Sequence, residues 1–88
     1  MTWRVEFEPK ARKDLKSLGG AERSAVLKYL RDRIDGSDDP RRFGKPLVDD
    51  LAGLWRYRIG DTRIIARLED EVLVVMVVKV GNRRVVYD

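Results

Sequence analysis

The stretch that most narrows what this chain can become is Leu54 to Ile65, LWRYRIGDTRII. Two alternating runs meet at Gly60-Asp61, whose glycine accepts the positive φ of a tight two-residue turn, so the segment predicts a β-hairpin. Closing the turn there sets Ile59 against Thr62, Arg58 against Arg63, Tyr57 against Ile64 and Arg56 against Ile65. A period of two puts Trp55, Tyr57, Ile59, Ile64 and Ala66 on one face, and Arg56, Arg58, Arg63 and Arg67 on the other. Like charges directly opposite each other destabilise a sheet. An Arg58–Arg63 pair is therefore a poor choice for stability alone and a sensible one for holding a polyanion.

The rest of the chain supplies what this hairpin needs around it. Trp3-Arg4-Val5-Glu6-Phe7 alternates and reads as a first strand. Pro9 at a first helical position, Ala11, Leu15 and Leu18 at helical spacing and the Gly19-Gly20 stop describe a short amphipathic helix. A second helix is expected from about Ala21 to Asp35, with Val26, Leu30 and Ile34 as its apolar stripe. Ser37 to Gly53 shows no sustained period and reads as a long loop pinned by Phe43, Leu47 and Leu51, a length that is often functional. After the acidic turn Glu69-Asp70-Glu71, the run Val72–Val80 is apolar on both faces. Such a strand belongs inside a sheet, with a helix layer on one side and some cover on the other. The expected fold is a single α+β domain over residues 1–88: a mainly antiparallel four-stranded sheet, ordered β-α-α-β-β-β, with a two-helix hairpin packed on one face. The arginine face is expected to be open.

Composition excludes more than it assigns. A domain of 88 residues buries only about 60–65% of its unfolded surface. The chain has no cysteine, so no disulfide or thiolate metal site is available, and no histidine, which removes the usual general base and the usual zinc ligand. Any catalysis must then come from Lys, Arg, Asp, Glu, Tyr or Ser, and neither a metal nor a cofactor is expected. The N-terminus lacks an apolar signal-like region and the longest apolar run is too short to span a bilayer, so a cytoplasmic protein without a membrane partner is expected. Nineteen basic against fifteen acidic residues give a net charge of +4, which permits an anionic partner without demanding one.

Placement of charge matters more than its sum. Arg56, Arg58, Arg63 and Arg67 share a face, and Arg83 and Arg84 follow the end of the last strand. A sheet's solvated face would look similar. Against that ordinary reading, Arg58 opposes Arg63, no acid alternates among the arginines until Glu69, and Tyr87 near Arg83 pairs a stacking surface with a phosphate ligand. Arg63 and Arg83 are both expected to be exposed on the open face. Lys10, Arg12, Lys13 and Lys16 form the exposed side of the first helix, usually a solubilising surface; Lys10 and Lys13 are the members placed to add phosphate contacts.

Taken together, W-x-V-x-F, D-P-R-R-F-G-K-P-L, L-W-R-Y-R-I-G-D-T-R-I-I and V-G-N-R-R-V-V-Y resemble the RelE branch of the RelE/ParE toxin superfamily across essentially the whole chain. The resemblance implies a small cytosolic toxin of a type II toxin–antitoxin pair. RelE-type members cut mRNA in the ribosomal A site, whereas ParE-type members poison DNA gyrase. The family's two basic positions on the first hairpin strand fall on Arg56 and Arg58, its phosphate-contacting arginine on Arg63, the arginine after the strand-end glycine on Arg83, and the terminal tyrosine on Tyr87. Arg67, Arg84, Lys10 and Lys13 would add RNA contacts. Better-studied RelE members carry lysine where this chain has Arg56 and Arg58, many relatives have histidine at the place of Asn82, and the sequence ends at Asp88, short of the C-terminal helix some members possess. The implied partners are a RelB-like antitoxin, the ribosome and its mRNA, with operator DNA reached through the antitoxin.

Cleavage of RNA by its own 2′-OH requires alignment of that hydroxyl with phosphorus, stabilisation of the phosphorane charge, and removal and delivery of a proton. Guanidinium forks suit the charge requirement, which falls to Arg63 and Arg83, with Arg83 as the candidate acid. Tyr87 is suited to stacking the base. An arginine with a pKa above about 12 is almost never a free base, so the base lies among Arg58, Arg56 and a group outside this chain. A gyrase inhibitor of ParE type and a non-cutting toxin-fold protein that binds RNA or antitoxin are the competing functions.

Overall fold

In a computed structural model, residues 2–82 are described. Arg83, Arg84 and Tyr87, three of the residues singled out above, lie outside them. The elements are β1 (Arg4–Phe7), α1 (Pro9–Ser17), α2 (Gly20–Tyr29), β2 (Lys45–Pro46), β3 (Leu54–Ile59), β4 (Thr62–Glu69) and β5 (Val74–Asn82). They build one sheet of five strands in the order β1-β5-β4-β3-β2. The hairpin register is the one read from the sequence: Ile59 pairs with Thr62, Arg58 with Arg63, Tyr57 with Ile64 and Arg56 with Ile65. Gly60 makes the turn at φ 58°, where glycine has no Cβ to strain.

The sheet is mainly antiparallel, as expected, with one parallel pairing and one strand more than the four expected. It is mixed, because β1 runs parallel to β5: the helical layer returns the chain so that β3 runs in the direction of β1, and two antiparallel pairings, β3 with β4 and β4 with β5, bring β5 back to that direction. It also has a fifth strand, the two-residue β2, which pairs Lys45 with Arg56 and Pro46 with Trp55 along the outer side of β3. A pair of residues carries no readable period, and the proline suits an edge.

The last strand lies between β1 and β4, inside the sheet as its two-sided apolarity requires. It begins at Val74 rather than Val72, which sits in the turn and is 54% exposed, and it runs through Gly81 to Asn82. The β4–β5 pairing slips at Ile65/Ala66: Ile65 faces Lys79, Ala66 faces Val77, and Val78 is the extra residue of a bulge.

Both helices lie on one face. Ala11 and Leu15 of α1 and Val26 of α2 are buried with Tyr57, Ile64, Ala66, Val75, Val77 and Val80 of the sheet. The second helix is shorter than its stripe suggests: Val26, Leu30 and Ile34 are spaced by four, more than one α-helical turn, and the backbone answers with a wider π turn over Leu30–Ile34. That widening keeps Leu30 at 3% and Ile34 at 0% exposure.

The segment read as a long loop wraps the edge of the sheet. On the helix side Phe43 packs on the main core and the Tyr57 hydroxyl donates to the Pro40 carbonyl at 2.8 Å. The chain then passes along β3 as β2, and on the far side Leu47, with Leu51 beside it, packs on Ile65, Leu54 and Val78. This smaller cluster is the second cover that β5 needs, and it leaves only part of the far face open.

Candidate nucleic-acid interface

The far face is laid out in cross-strand rows. One row reads Lys45, Arg56, Ile65, Lys79; the next, toward the hairpin turn, reads Arg58, Arg63, Gly81; the row on the other side reads Leu54, Arg67, Met76, Glu6. Positive charge is thus gathered at the turn end of the hairpin. Toward β1 it is neutralised: Arg67 donates from Nε to Glu69 at 3.0 Å and from Nη2 to Glu8 at 3.1 Å, and Arg4 meets Glu6 at 2.7 Å. Those two carboxylates, Glu69 first, hold the Arg67 guanidinium above its ordinary pKa. Lys45, Arg56, Arg58, Arg63 and Lys79 are the cations that the rows at this end of the face bring together.

The members of this cluster differ in burial. Arg58 is exposed and Arg56 half-buried, whereas Arg63 is only 3% exposed, contrary to the expectation that it stands in solvent. Gly81 across β4–β5 offers no side chain, and Arg63 Nη1 donates to the Gly60 carbonyl at 3.2 Å, which folds the guanidinium toward the turn. Beside Arg56 the far face dips into a concavity of about 720 Å³, walled by Lys45, Val48, Asp49, Asp50 and Leu51. The two basic rows hold no Asp or Glu among the described residues, which suits recognition of phosphate rather than of a cation.

The helical lysines are not brought to this place. Lys10 and Lys13 are exposed on α1, which covers the opposite face of the sheet, and Lys10 is paired with Asp14 at 2.7 Å. Lys45 and Lys79 are cations of the face that sequence reasoning missed. Lys45 lies in a segment with no period, but a lone lysine inside VLVVMVVKV is a visible signal.

One further cation was missed because it serves the scaffold. Arg41 forks onto Asp70 with bonds of 2.9 and 2.8 Å, and its guanidinium lies over the rings of Trp55 at 5.5 Å and Trp3 at 5.9 Å. The arginine ties the edge-wrapping segment to the β4–β5 turn, and its fork holds the Asp70 carboxyl below the usual carboxylate range. Tyr57, buried beneath, has its hydroxyl pushed well above the ordinary tyrosine value by that burial and stays a neutral donor. Among the described residues no helix is long and apolar enough to cross a membrane.

Comparison with known proteins converges on one family. The model of the ParE toxin of the type II toxin–antitoxin system parDE matches residues 5–87. The chain is 36% identical to Toxin RelG of Mycobacterium tuberculosis over 87 residues, 99% of this chain and 98% of that protein. It is 28% identical to Toxin RelE of the same organism over 85 residues, 97% of this chain and 86% of that protein. Among solved structures, the toxin–antitoxin complex RelBE2 of Mycobacterium tuberculosis superposes with a TM-score of 0.85 at 32% identity, covering 94% of this chain and 100% of that one. The RelE–RelB complex of Pyrococcus horikoshii gives 0.69 at 31% identity, covering 94% and 97%. The chain belongs to the RelE/ParE superfamily of toxins of type II toxin–antitoxin systems.

Proposed function

We propose that this toxin is a ribosome-dependent, metal-independent endoribonuclease that cuts mRNA by attack of the 2′-OH and so arrests translation. The observation that carries this reading is the paired arginine row. Arg58 and Arg63 face each other at the turn end of the hairpin with the Arg56 row beside them, and neither row holds an acidic residue among the described residues. Such an array offers several guanidinium forks to one phosphate, the arrangement that stabilises charge developing on non-bridging oxygens. Arg63, held by the protein, clamps the phosphate; Arg58 and Arg56 stand where the 2′-OH proton leaves; Arg83 completes the charge stabilisation and is the acid; and Tyr87 stacks the base. Arg67 and Arg84 are secondary RNA contacts, and Arg67 enters only when RNA phosphate competes with Glu8 and Glu69; Lys10 and Lys13, on the opposite face of the sheet, take no part in holding RNA there. In its resting state the toxin is held by a RelB-like antitoxin, as the relatives solved as toxin–antitoxin complexes are, and through it reaches operator DNA in the cytoplasm.

The match to the ParE model favours a second reading, inhibition of DNA gyrase. The test is to incubate the protein with translating ribosomes and map mRNA 5′ ends, with a gyrase supercoiling assay in parallel. New ends within ribosome-protected codons and uninhibited gyrase are expected. Inhibited supercoiling with intact mRNA would replace the first reading by the second, and neither effect would leave a toxin-fold binding protein.

A further inference from the structure

β1 stops at Phe7, opposite Val77, where the chain turns into α1. Beyond Val77, no strand lies beside the outer edge of β5 among the described residues. Backbone N–H groups at such an edge need another acceptor. For Val80 it is a side chain from the helix layer: the N–H donates to Asp14 Oδ2 at 3.0 Å. The other carboxylate oxygen takes the Lys10 ammonium at 2.7 Å, and the Asp14 side chain is only 15% exposed.

This bond falls next to the bulge. Val75 and Val77 pack under the helices, Val78 joins Leu47 and Ile65 on the far side, and Val80 returns to the helix side. The extra residue therefore reverses the alternation of β5. Without it, Lys79 would point into the core and Val80 onto the basic face, and Gly81 would leave the Arg63 row. Val80, two residues past the extra one, pairs with Ile64 and turns its N–H to the outer edge, where Asp14 satisfies it.

We infer that Asp14 is a positioning residue for the basic face: by accepting the Val80 N–H it locks the bulge and so sets Lys79 opposite Ile65 and Gly81 opposite Arg63. The functional consequence rests on the ribonuclease reading of that face. Gly81, without a side chain, is the residue paired with Arg63 across β4 and β5, so a slip in β5 sets a residue with a side chain beside the phosphate clamp. In sequence Asp14 looks like an ordinary i, i+4 partner of Lys10, and the bond to Val80, 66 residues away, is a second task.

The test compares the full chain carrying Asp14→Ala with Asp14→Asn, whose amide oxygen still accepts an N–H. Asp14→Cys, close in size and without a carbonyl oxygen, replaces the alanine variant should that one not fold. Amide exchange at Val80 and the cross-strand nuclear Overhauser effects Ile65–Lys79 and Arg63–Gly81 report the register; kcat and KM for ribosome-dependent cleavage report the consequence. In Asp14→Ala, Val80 exchange is expected to quicken at least ~10-fold and kcat to fall about 10-fold with KM within about twofold, the mark of a misplaced clamp rather than lost binding. Asp14→Asn should stay within about twofold of wild type in both. Unchanged Val80 exchange in Asp14→Ala, quickened exchange with unchanged kcat, or an asparagine variant as impaired as alanine would each overturn the inference. If wild type does not cleave, the ribonuclease reading falls and the register alone decides: cross-strand effects that vanish in Asp14→Ala support the positioning role, and their persistence refutes it.

Discussion

Arg58 and Arg63 face each other across β3 and β4, yet Arg63 is 3% exposed while Arg58 stands in solvent. The pair thus divides into a buried and an exposed cation. Arg63 is bonded to the Gly60 carbonyl at 3.2 Å and buried in the face; Arg58 is exposed. The two substitutions should therefore differ. Arg63→Ala is expected to lower single-turnover cleavage by roughly 10²-fold and also to cost about 1–3 kcal/mol of stability from lost packing and an orphaned carbonyl. Arg58→Ala should lower cleavage with stability changed by less than about 0.5 kcal/mol. Thermal melts beside single-turnover rates check this, and unchanged rates in both variants would reduce the face to solvated surface.

The arginine-for-lysine departure at Arg58 gives a pH prediction. An arginine is a poor base at neutral pH, whereas lysine among positive charges titrates lower. Arg58→Lys loses the bidentate fork, a cost of about 1–3 kcal/mol if the contact is desolvated. Its free-base fraction grows with pH, so it should match or exceed wild type above about pH 7 and lose that gain below it. Rates of wild type, Arg58→Lys and Arg58→Ala across pH decide. Lysine as poor as alanine throughout would make Arg58 a clamp and move the base to Arg56 or the ribosome.

Gly44 is required for space rather than for its backbone angles. Its φ of −120° and ψ of 179° suit any residue, but a Cβ there would lie 2.9 Å from Tyr57 Cε1 and 3.0 Å from the Arg56 carbonyl. Gly44→Ala should cost about 1–3 kcal/mol, as overpacking does, and disturb Arg56. At Gly36 the reverse holds: φ is 82° and nothing lies within 4 Å, so Gly36→Ala should cost on the order of 1 kcal/mol through backbone strain alone. Urea midpoints at constant slope measure both, and a Gly44→Ala variant as active and stable as wild type would disprove the close approach.

Stability should fall at both ends of the pH range for separate reasons. The Asp70 carboxyl is held low by the Arg41 fork, so its contribution is present above the unfolded carboxylate value of about 3.9 and is lost as pH falls through the folded one. Tyr57 is raised by burial, so its contribution is present below the unfolded value of about 10 and is lost as pH rises toward the folded one. Asp70→Asn should flatten the acid limb and Tyr57→Phe the alkaline limb. Tyr57→Phe also strands the Pro40 carbonyl, at about 1–2 kcal/mol. Denaturant melts from about pH 2 to about pH 11 span both values and are the check; an unchanged limb in either variant contradicts its assignment.

What the sequence made legible was local. The hairpin register follows from turn chemistry and a period of two, both written within one short contiguous stretch, and the helices from apolar spacing and glycine stops. What it concealed depends on partners distant in the chain. The bulge at Val78 lies beside the bond from Val80 to Asp14 on α1, β2 is defined by its pairing along the edge of β3, and Arg63 has Gly81 as its partner across the sheet. Arg41 reads as one cation among many until Trp3, Trp55 and Asp70 are brought to it. The parallel placement of β1 was hidden for the same reason, since Arg4–Phe7 and Val74–Val77 pair across the whole helical layer.

On the proposed reading the basic face promotes attack by the RNA's own 2′-OH. Single-turnover cleavage of ribosome-bound mRNA, with a 2′-deoxy nucleotide placed at the scissile position, tests it most directly. The prediction is cleavage of the all-ribose message to a 2′,3′-cyclic phosphate end, at least ~10²-fold slower in Arg63→Ala, and no cleavage at the deoxy position by either protein. Equal cleavage of the deoxy message, or a message left whole by wild type, would contradict it.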